Sequence, residues 1–403
     1  MEIDVRDYHT YVNETLGLGT PIDGIRDQRK RPEITAPVVF RSVLYGVSFG
    51  LGSLLGIDTF VKTHDLGSLL GQDGGPLLSD STMGRSLSGM KGTSVADLVR
   101  QAAGAVLGRA EFIEAGKIGR FRVAAIDKST LAGMPVVVAR MAGMAQDRPV
   151  NLDYEPVRSG ENEVTAAKRL IPRVIERFGA WIDVFVFDGL YTEWCIKLVR
   201  SLKKHVVVKT REKALLVTQK VDELAATYQR YGVEPIPGVD EDGYKEYRLM
   251  DFPKIEDETL GGPIRVVRVW EERLKGEKEK DEYHLLTTLS PQEAPAVLVR
   301  QIGRGRWGIE NGCFRQTSQN LNGKHRFAGQ GEAPEVMAGI LLLAGTLLAG
   351  YLAQQEHRQG KKRSKKQPVK SVMRWLGESV PLLPQAKRQA RAAGIRGKKE
   401  LKR

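Results

Sequence analysis

The sequence predicts an α/β protein in which a mixed five-stranded sheet is flanked by helices. Three strand-like runs follow one another at residues 121–127, 134–141 and 150–157. Residues 166–178 then carry apolar side chains at helical spacing. The next run, 182–188, is almost continuously apolar, which is typical of a parallel strand buried on both faces. Antiparallel strands at one side of the sheet and a buried parallel strand near its middle account for these patterns.

The following segments complete this order of elements. Residues 193–202 have the pattern of a helix, and residues 205–210 have that of a final strand. Three strands, a helix, a strand, a helix and a strand is the order of an RNase H-like core. We expect that core to occupy residues 116–210 and 285–353. A β-rich insertion is predicted between its two parts, at 211–284, where glycine, proline and charge clusters interrupt short strand candidates.

The segments outside the core differ from it in composition. Residues 1–115 mix glycine-rich turns with short amphipathic runs, which predicts a helical N-terminal domain. The tail, residues 354–403, holds 16 of the 62 basic residues and three of the 49 acidic ones. The whole net charge of +13 therefore lies in this tail. Such a segment is an electrostatic handle for phosphate backbones, and the alternative is a solvated tail that only aids solubility.

Composition excludes several other classes of protein. Two cysteines, Cys195 and Cys313, without a CxxC pair argue against a disulfide framework or a structural zinc site. Hydrophobic residues make up 41% of the chain and charged residues 28%, as in soluble globular proteins. No basic-then-apolar leader begins the sequence, so we expect a cytoplasmic protein. Residues 336–353 carry no charge, and we interpret them as a core helix, with a membrane span as the alternative.

Three acidic residues stand at positions that would direct their carboxylates to one point. Asp127 follows one apolar run, Asp188 follows another, and Glu310 lies within a helix-like stretch. Oxygen ligands of this kind suit Mg²⁺ or Mn²⁺, and a pair of such ions promotes phosphodiester chemistry. Arg306 lies one helical turn before Glu310, where a guanidinium could fork onto a phosphate oxygen. Taken singly, each aspartate has a bland interpretation as a turn or cap residue.

The order of these motifs resembles that of IS4-type DDE transposases. The resemblance rests on Ala125-Ile126-Asp127, on Val186-Phe187-Asp188-Gly189 and on the segment Arg306-Trp307-Gly308-Ile309-Glu310-Asn311-Gly312-Cys313-Phe314. It covers residues 116–353. It implies an RNase H-like catalytic core interrupted by a β-strand insertion between the second aspartate and the glutamate.

The resemblance also implies roles for individual residues. Asp127, Asp188 and Glu310 would be the catalytic metal ligands for two Mg²⁺ or Mn²⁺ ions, and Arg306 would contact phosphate. The sequence departs from the family's Tyr-x2-Arg-x3-Glu-x6-Lys motif at two places, since Gly303 and Thr317 stand at the tyrosine and lysine positions.

Further residues near this motif are candidates for contacts to DNA. Trp307 would either stack on a base or pack its helix onto the core. The lost lysine contact leaves three candidate replacements for DNA or phosphate binding, which are Arg315, Lys324 and His325.

The expected function is DNA transposition, with cleavage at element ends and strand transfer into target DNA. The expected partners are the terminal inverted repeats and target DNA, bound by a homodimer in a prokaryotic cytoplasm, without a membrane. The N-terminal domain would either read DNA ends or cover the core as a structural lid. Three alternatives remain: an RNase H-like nuclease without strand transfer, a catalytically inactive DNA-binding relative, and a membrane-anchored protein.

Overall fold

The fold is a large mixed sheet with helices on both faces. The computed structural model describes residues 3–70, 78–142, 148, 150–211, 215–240, 245–274, 280–306, 315–360, 369–385 and 388–389. Among these residues the strands are β1 Lys117–Ile118, β2 Phe121–Leu131, β3 Met134–Met141, β4 Asn151–Pro156, β5 Val184–Asp188, β6 His205–Thr210, β7 Ile236–Val239, β8 Lys245–Ile255, β9 Ile264–Arg273 and β10 Lys280–Thr287.

The helices of the same residues fall into an N-terminal group, a group within the sheet region and a C-terminal group. They are α1 Val5–Thr10, α2 Gly19–Asp23, α3 Ala36–Ser48, α4 Leu54–Thr63, α5 Asp80–Gly89, α6 Gly92–Leu107, α7 Glu163–Phe178, α8 Thr192–Ser201, α9 Leu216–Arg230, α10 Ala296–Gly305, α11 Arg315–Asn320, α12 Ala333–Arg358 and α13 Val369–Glu378.

The strand order confirms the predicted fold class. It runs β4-β3-β2-β5-β6-β10-β9-β8-β7, and β1 pairs with β2 outside this path. The first three strands are antiparallel, whereas β5 lies parallel between β2 and β6. This is the RNase H-like arrangement that the order of elements predicts. The strands of the insertion do not form a separate sheet, because β10 pairs antiparallel with β6 and extends the core sheet through β9, β8 and β7.

Strand β2 is longer than the sequence pattern indicated. The interpretation that a strand ends at Asp127 is wrong, because β2 continues to Leu131 and pairs with β3 over the whole of this extension. The hairpin turn follows at Ala132 and Gly133, which both have positive φ, of 51° and 78°. Two consecutive positive φ values are the backbone of the tight turn that matches strand twist. Asp127 is therefore an interior residue of a long strand.

Helix α12 is the central helix of the hydrophobic core. It is long and apolar enough to cross a membrane, and 94% of its most apolar window is buried inside the protein. It packs against α3, α5 and α6 on one side and against β2, β3 and β4 on the other. The structure therefore buries residues 336–353 as the sequence analysis expected of a core helix. This burial joins the N-terminal helices and the sheet in one continuous core.

Part of the basic tail is folded. The predicted boundary at 354 lies inside α12, and α13 buries Val372, Met373 and Leu376. Beyond α13, the backbone N–H of Leu383 donates to the carbonyl of Thr63 at 2.9 Å. Residues 361–368 and 390–403, which carry most of the tail's basic side chains, lie outside the described part of the chain.

Candidate active site

Asp127 and Asp188 lie on adjacent parallel strands. In the β2–β5 pairing, Val123 lies beside Val184 and Ala125 lies beside Val186. Continuing this register by two residues places Asp127 level with Asp188. Since side chains alternate along a strand, both aspartates belong to the same face of the sheet. The structure thus brings together two of the three carboxylates that the sequence analysis singled out.

Asp188 ends β5 and begins a tight turn. One of its carboxylate oxygens accepts the backbone N–H of Gly189 at 2.8 Å, and the side chain is exposed. A Cβ at Gly189 would lie 2.9 Å from the hydroxyl oxygen of Thr210 on the neighbouring strand β6. This position therefore requires glycine, because a side chain there would displace β6. The Asp-Gly pair sets the geometry of this end of the sheet.

Arg306 binds Asp127 directly. Its Nη1 donates to Oδ2 of Asp127 at 2.8 Å, and the two side chains are 9% and 14% exposed. Arg306 follows the last residue of α10, which packs on the face of the sheet that carries the aspartates. The arginine predicted to contact phosphate therefore lies at the carboxylate pair. An arginine in this position neutralises Asp127 and leaves Asp188 as the more exposed carboxylate.

Glu310 and Trp307 lie outside the described residues, as does Cys313. Within the described part of the chain, no group of three or more His, Cys, Asp or Glu side chains could hold a metal ion. The two aspartates that are described have the right chemistry for Mg²⁺ or Mn²⁺, since both ions prefer carboxylate oxygens. Their shared face and adjacent strands suit a site of this kind, and a third ligand would have to come from another segment.

The two departures from the tyrosine and lysine positions have structural causes. A Cβ at Gly303 would lie 2.7 Å from a methyl carbon of Leu285, because α10 crosses β10 very closely. Thr317 is 3% exposed, and its carbonyl accepts the backbone N–H of Gly323 at 2.8 Å. A tyrosine at the first position would clash with β10, and a lysine at the second would place a charge in the interior. Both departures are built into the packing of this fold.

The candidate DNA-binding residues of the C-terminal half do not gather at the aspartates. Lys324 and His325 are exposed, and the carbonyl of Gly323 accepts the N–H of Ala132 at 2.7 Å. They therefore lie near the β2–β3 turn, about five residues or roughly 16 Å along β2 from Asp127. Arg315 begins α11, and its side chain lies outside the described set.

The sequence analysis missed two basic residues beside Asp188. Lys209 lies directly opposite Asp188 in the β5–β6 pairing, and Arg211 follows at the end of β6. Both form ion pairs with Asp281, at 3.4 Å and 2.7 Å. Hydrogen bonding to Asp281 raises the pKa of Arg211, and the negative charge of Asp188 contributes to this rise. The available signal was their position, since they end the strand predicted to lie beside that of Asp188.

A second group missed by the sequence analysis lies on the opposite face of the same sheet edge. Lys128 forms an ion pair with Glu163, the first residue of α7. Tyr191 is fully buried and its ring lies 5.7 Å from that of Phe187. Burial raises the pKa of the Tyr191 phenol, and the charges of Glu163, Asp127 and Asp188 raise it further. The phenol therefore stays protonated and able to donate a hydrogen bond at this acidic edge.

Comparisons with known proteins give one structural likeness. No protein-family model matches the chain, and no curated protein matches it. The chain is similar to a solved cryo-EM structure of a piggyBac transposase synaptic complex with hairpin DNA. The two are 12% identical with a TM-score of 0.44, over 99% of this chain and 83% of that one. The assignment of chemistry to this chain rests on its own residues.

Proposed function

We propose that this protein is a DNA transposase of the DDE type, similar to the IS4-type enzymes. The observation that carries the proposal is the placement of Asp127 and Asp188 on adjacent parallel strands, with Arg306 bound to Asp127. The order of the three motifs in the sequence supports Glu310 as the third acidic residue. The proposed substrates are the ends of a mobile element and its target DNA, and a homodimer would pair two ends.

The roles of the residues follow from their chemistry. Asp127, Asp188 and Glu310 would hold two Mg²⁺ or Mn²⁺ ions, which when bound supply an activated oxygen nucleophile and stabilise the leaving oxygen. Arg306 would bind a phosphate oxygen through its planar fork of N–H donors. Lys209 and Arg211 supply positive charge beside Asp188, which favours the approach of a phosphate backbone to this carboxylate.

The test is the substitution Asp188→Asn, which removes a charge without changing the size of the side chain. We expect Mg²⁺-dependent cleavage of element-end DNA to fall to background, and Mn²⁺ affinity to fall at least ~10-fold. DNA binding in gel-shift assays should persist, since the lost group binds the metal ions. Mn²⁺ binding is measured by electron paramagnetic resonance, which is independent of activity.

The matched control is Asp183→Asn at the other end of the same strand. Asp183 accepts the backbone N–H of Arg122 at 2.8 Å, a contact that asparagine can also make. This variant should cleave DNA as the unaltered protein does. Metal-dependent cleavage by Asp188→Asn at the unaltered rate would refute the proposed site.

Strand transfer separates the proposed transposase from a nuclease with the same core. A transposase joins the 3′-OH it has released to a second DNA, whereas a nuclease stops after hydrolysis. Incubating labelled element ends with unlabelled circular DNA should therefore give joined products that depend on Mg²⁺. Cleaved ends without joined products would favour the nuclease.

A further inference from the structure

Helix α10 ends at the residue before Arg306 and is held on its other side by the insertion. Along this helix, Gly303 approaches β10, and a Cβ at Gly305 would lie 2.7 Å from a methyl carbon of Ile118. Such close packing fixes the height of the helix above the sheet. It leaves open how the rotation and the position along the axis are set, and a polar cluster beneath α10 supplies an answer.

Arg300 of α10 is the centre of this cluster. The residue is 2% exposed, and its Nη2 lies 2.7 Å from Asp240 and 2.7 Å from Glu271. Its Nε donates to the same oxygen of Glu271 at 2.9 Å, and its guanidinium lies 3.8 Å from the centre of the Tyr247 ring. One side chain thus joins α10 to β8, to β9 and to the residue after β7.

The other members of the cluster hold its two acids in place. Tyr283 donates its hydroxyl to Glu271 at 2.7 Å, and the Nζ of Lys245 lies 3.0 Å from the second oxygen of Glu271. Asp240 also pairs with Arg304, one helical turn after Arg300. A buried guanidinium held by two carboxylates and an aromatic ring has few alternative positions, because every displacement leaves a buried charge unpaired.

We propose that Arg300 is a positioning residue that holds Arg306 on Asp127, an inference that deepens the function proposed above. Arg306 lies six residues, or about 9 Å of helix axis, beyond Arg300. A rotation or slide of α10 would carry the Arg306 guanidinium away from Asp127. The insertion therefore acts on the site through α10, without contributing a group that touches the substrate.

The test measures the interaction between Asp127 and Arg306 in three backgrounds. The variants Asp127→Asn, Arg306→Met and their double form a thermodynamic cycle in urea unfolding. In the otherwise unaltered protein we expect a coupling of roughly tenfold in the unfolding equilibrium constant. In the Arg300→Met background this coupling should fall to less than about twofold. A residue that only adds stability would lower the unfolding constant of all forms and leave the coupling intact.

Arg268→Met provides the matched control. Arg268 lies on β9, on the opposite face of the insertion, where it pairs with Asp222 at 3.2 Å and with Glu282 at 2.5 Å. This variant also loses two ion pairs but leaves α10 untouched, so the Asp127–Arg306 coupling should persist. Loss of the coupling in the control as well would overturn the proposal, since it would then reflect general loosening of the sheet.

A second variant protects the test against misfolding. Arg300→Met alone leaves two buried carboxylates short of a partner, whereas Arg300→Met combined with Asp240→Asn and Glu271→Gln replaces the cluster's charged core with neutral side chains. The coupling should be lost in this variant too, and its persistence there would refute a positioning role. The cycle requires no DNA or metal, so a protein that fails to cleave DNA refutes the proposed function while the role of Arg300 is still decided.

Discussion

Gly303 shows how a single residue records the packing of a whole helix. The resemblance to transposases drew attention to this position because a tyrosine is expected there. The structure gives a local reason for glycine, which is the 2.7 Å approach of Leu285 to the position of a Cβ. The lost phosphate contact is therefore not restored by reinstating the tyrosine. Lys209 and Arg211, which lie beside Asp188, are better placed to replace it.

Alanine substitution tests this packing. Alanine stabilises a helix interior by about 1 kcal/mol relative to glycine where space allows. Gly104, inside α6, has no atom within 4 Å of a Cβ, so Gly104→Ala should raise the free energy of unfolding by up to that amount. Gly303→Ala should instead lower it by about 1–3 kcal/mol through overpacking. Urea unfolding of both variants gives the comparison, and a gain in stability at Gly303 would show that α10 can move away from β10.

At the scale of elements, the cluster beneath α10 gives the stability of the protein a defined pH dependence. Burial disfavours the charged form of Glu271, but the hydrogen bond from Tyr283 and the charges of Arg300 and Lys245 outweigh it, so its pKa lies below 4.5. A carboxyl whose folded pKa is lowered stabilises the fold above its unfolded pKa. That stabilisation is lost as the pH falls through the folded pKa.

We therefore expect the free energy of unfolding to fall as the pH is lowered from 6 towards 3, and Glu271→Gln to remove part of this slope. Glu335 provides a control of opposite sign, because burial raises the pKa of its carboxyl. Glu335→Gln should stabilise the protein near pH 7, where the buried carboxylate is charged at a cost. Unfolding in urea across this pH range measures both effects. An unchanged acid slope in Glu271→Gln would show that Glu271 does not retain its low pKa in solution.

The elements that the sequence predicted well are those with strong local patterns. The strand 134–141 has the predicted bounds because its apolar residues are bounded by the turn at Gly133 and by the end of the β3 pairing. Helix α9, inside the insertion, escaped prediction because its apolar face is narrow, with Val217, Val221 and Ala225 buried among charged residues. Strand β8 escaped because exposed charged residues alternate with its buried ones.

The candidate site divides in the same way. Asp127 and Asp188 could be predicted because each follows a buried apolar run, whose burial requires a strand in the sheet. The ion pair between Arg306 and Asp127 joins residues 179 positions apart, and the Arg300 cluster joins strands of the insertion to α10. No local pattern encodes contacts of that kind, because they depend on β10 returning to pair with β6.

At the scale of the whole molecule, the separation of charge from the core gives a prediction about DNA binding. Truncation after Gln389 keeps α13 but removes six basic residues and one acidic residue. The six are Arg391, Arg396, Lys398, Lys399, Lys402 and Arg403. If each neutralises one phosphate, the slope of log affinity against log salt should become shallower by about 5. Fluorescence anisotropy with duplex DNA between 50 and 200 mM salt measures the slope.

A full-length chain with glutamine at these six positions is the matched control for this truncation. It should reproduce the shallower slope, because the contribution is electrostatic and independent of chain length. A truncated protein whose slope equals that of the full chain would identify the tail as a solvated segment that makes no contact with DNA.

The burial of α12 among the N-terminal helices has a consequence for synthesis. Helices α3 and α6 are made early, yet the helix that covers their apolar faces begins at Ala333. While a ribosome translates the intervening residues, those faces have no permanent cover, and contacts so distant in sequence form late in folding. The nascent chain should consequently depend on chaperones until its last fifth emerges. A message cut short before α12 would yield an aggregation-prone fragment rather than a smaller working protein.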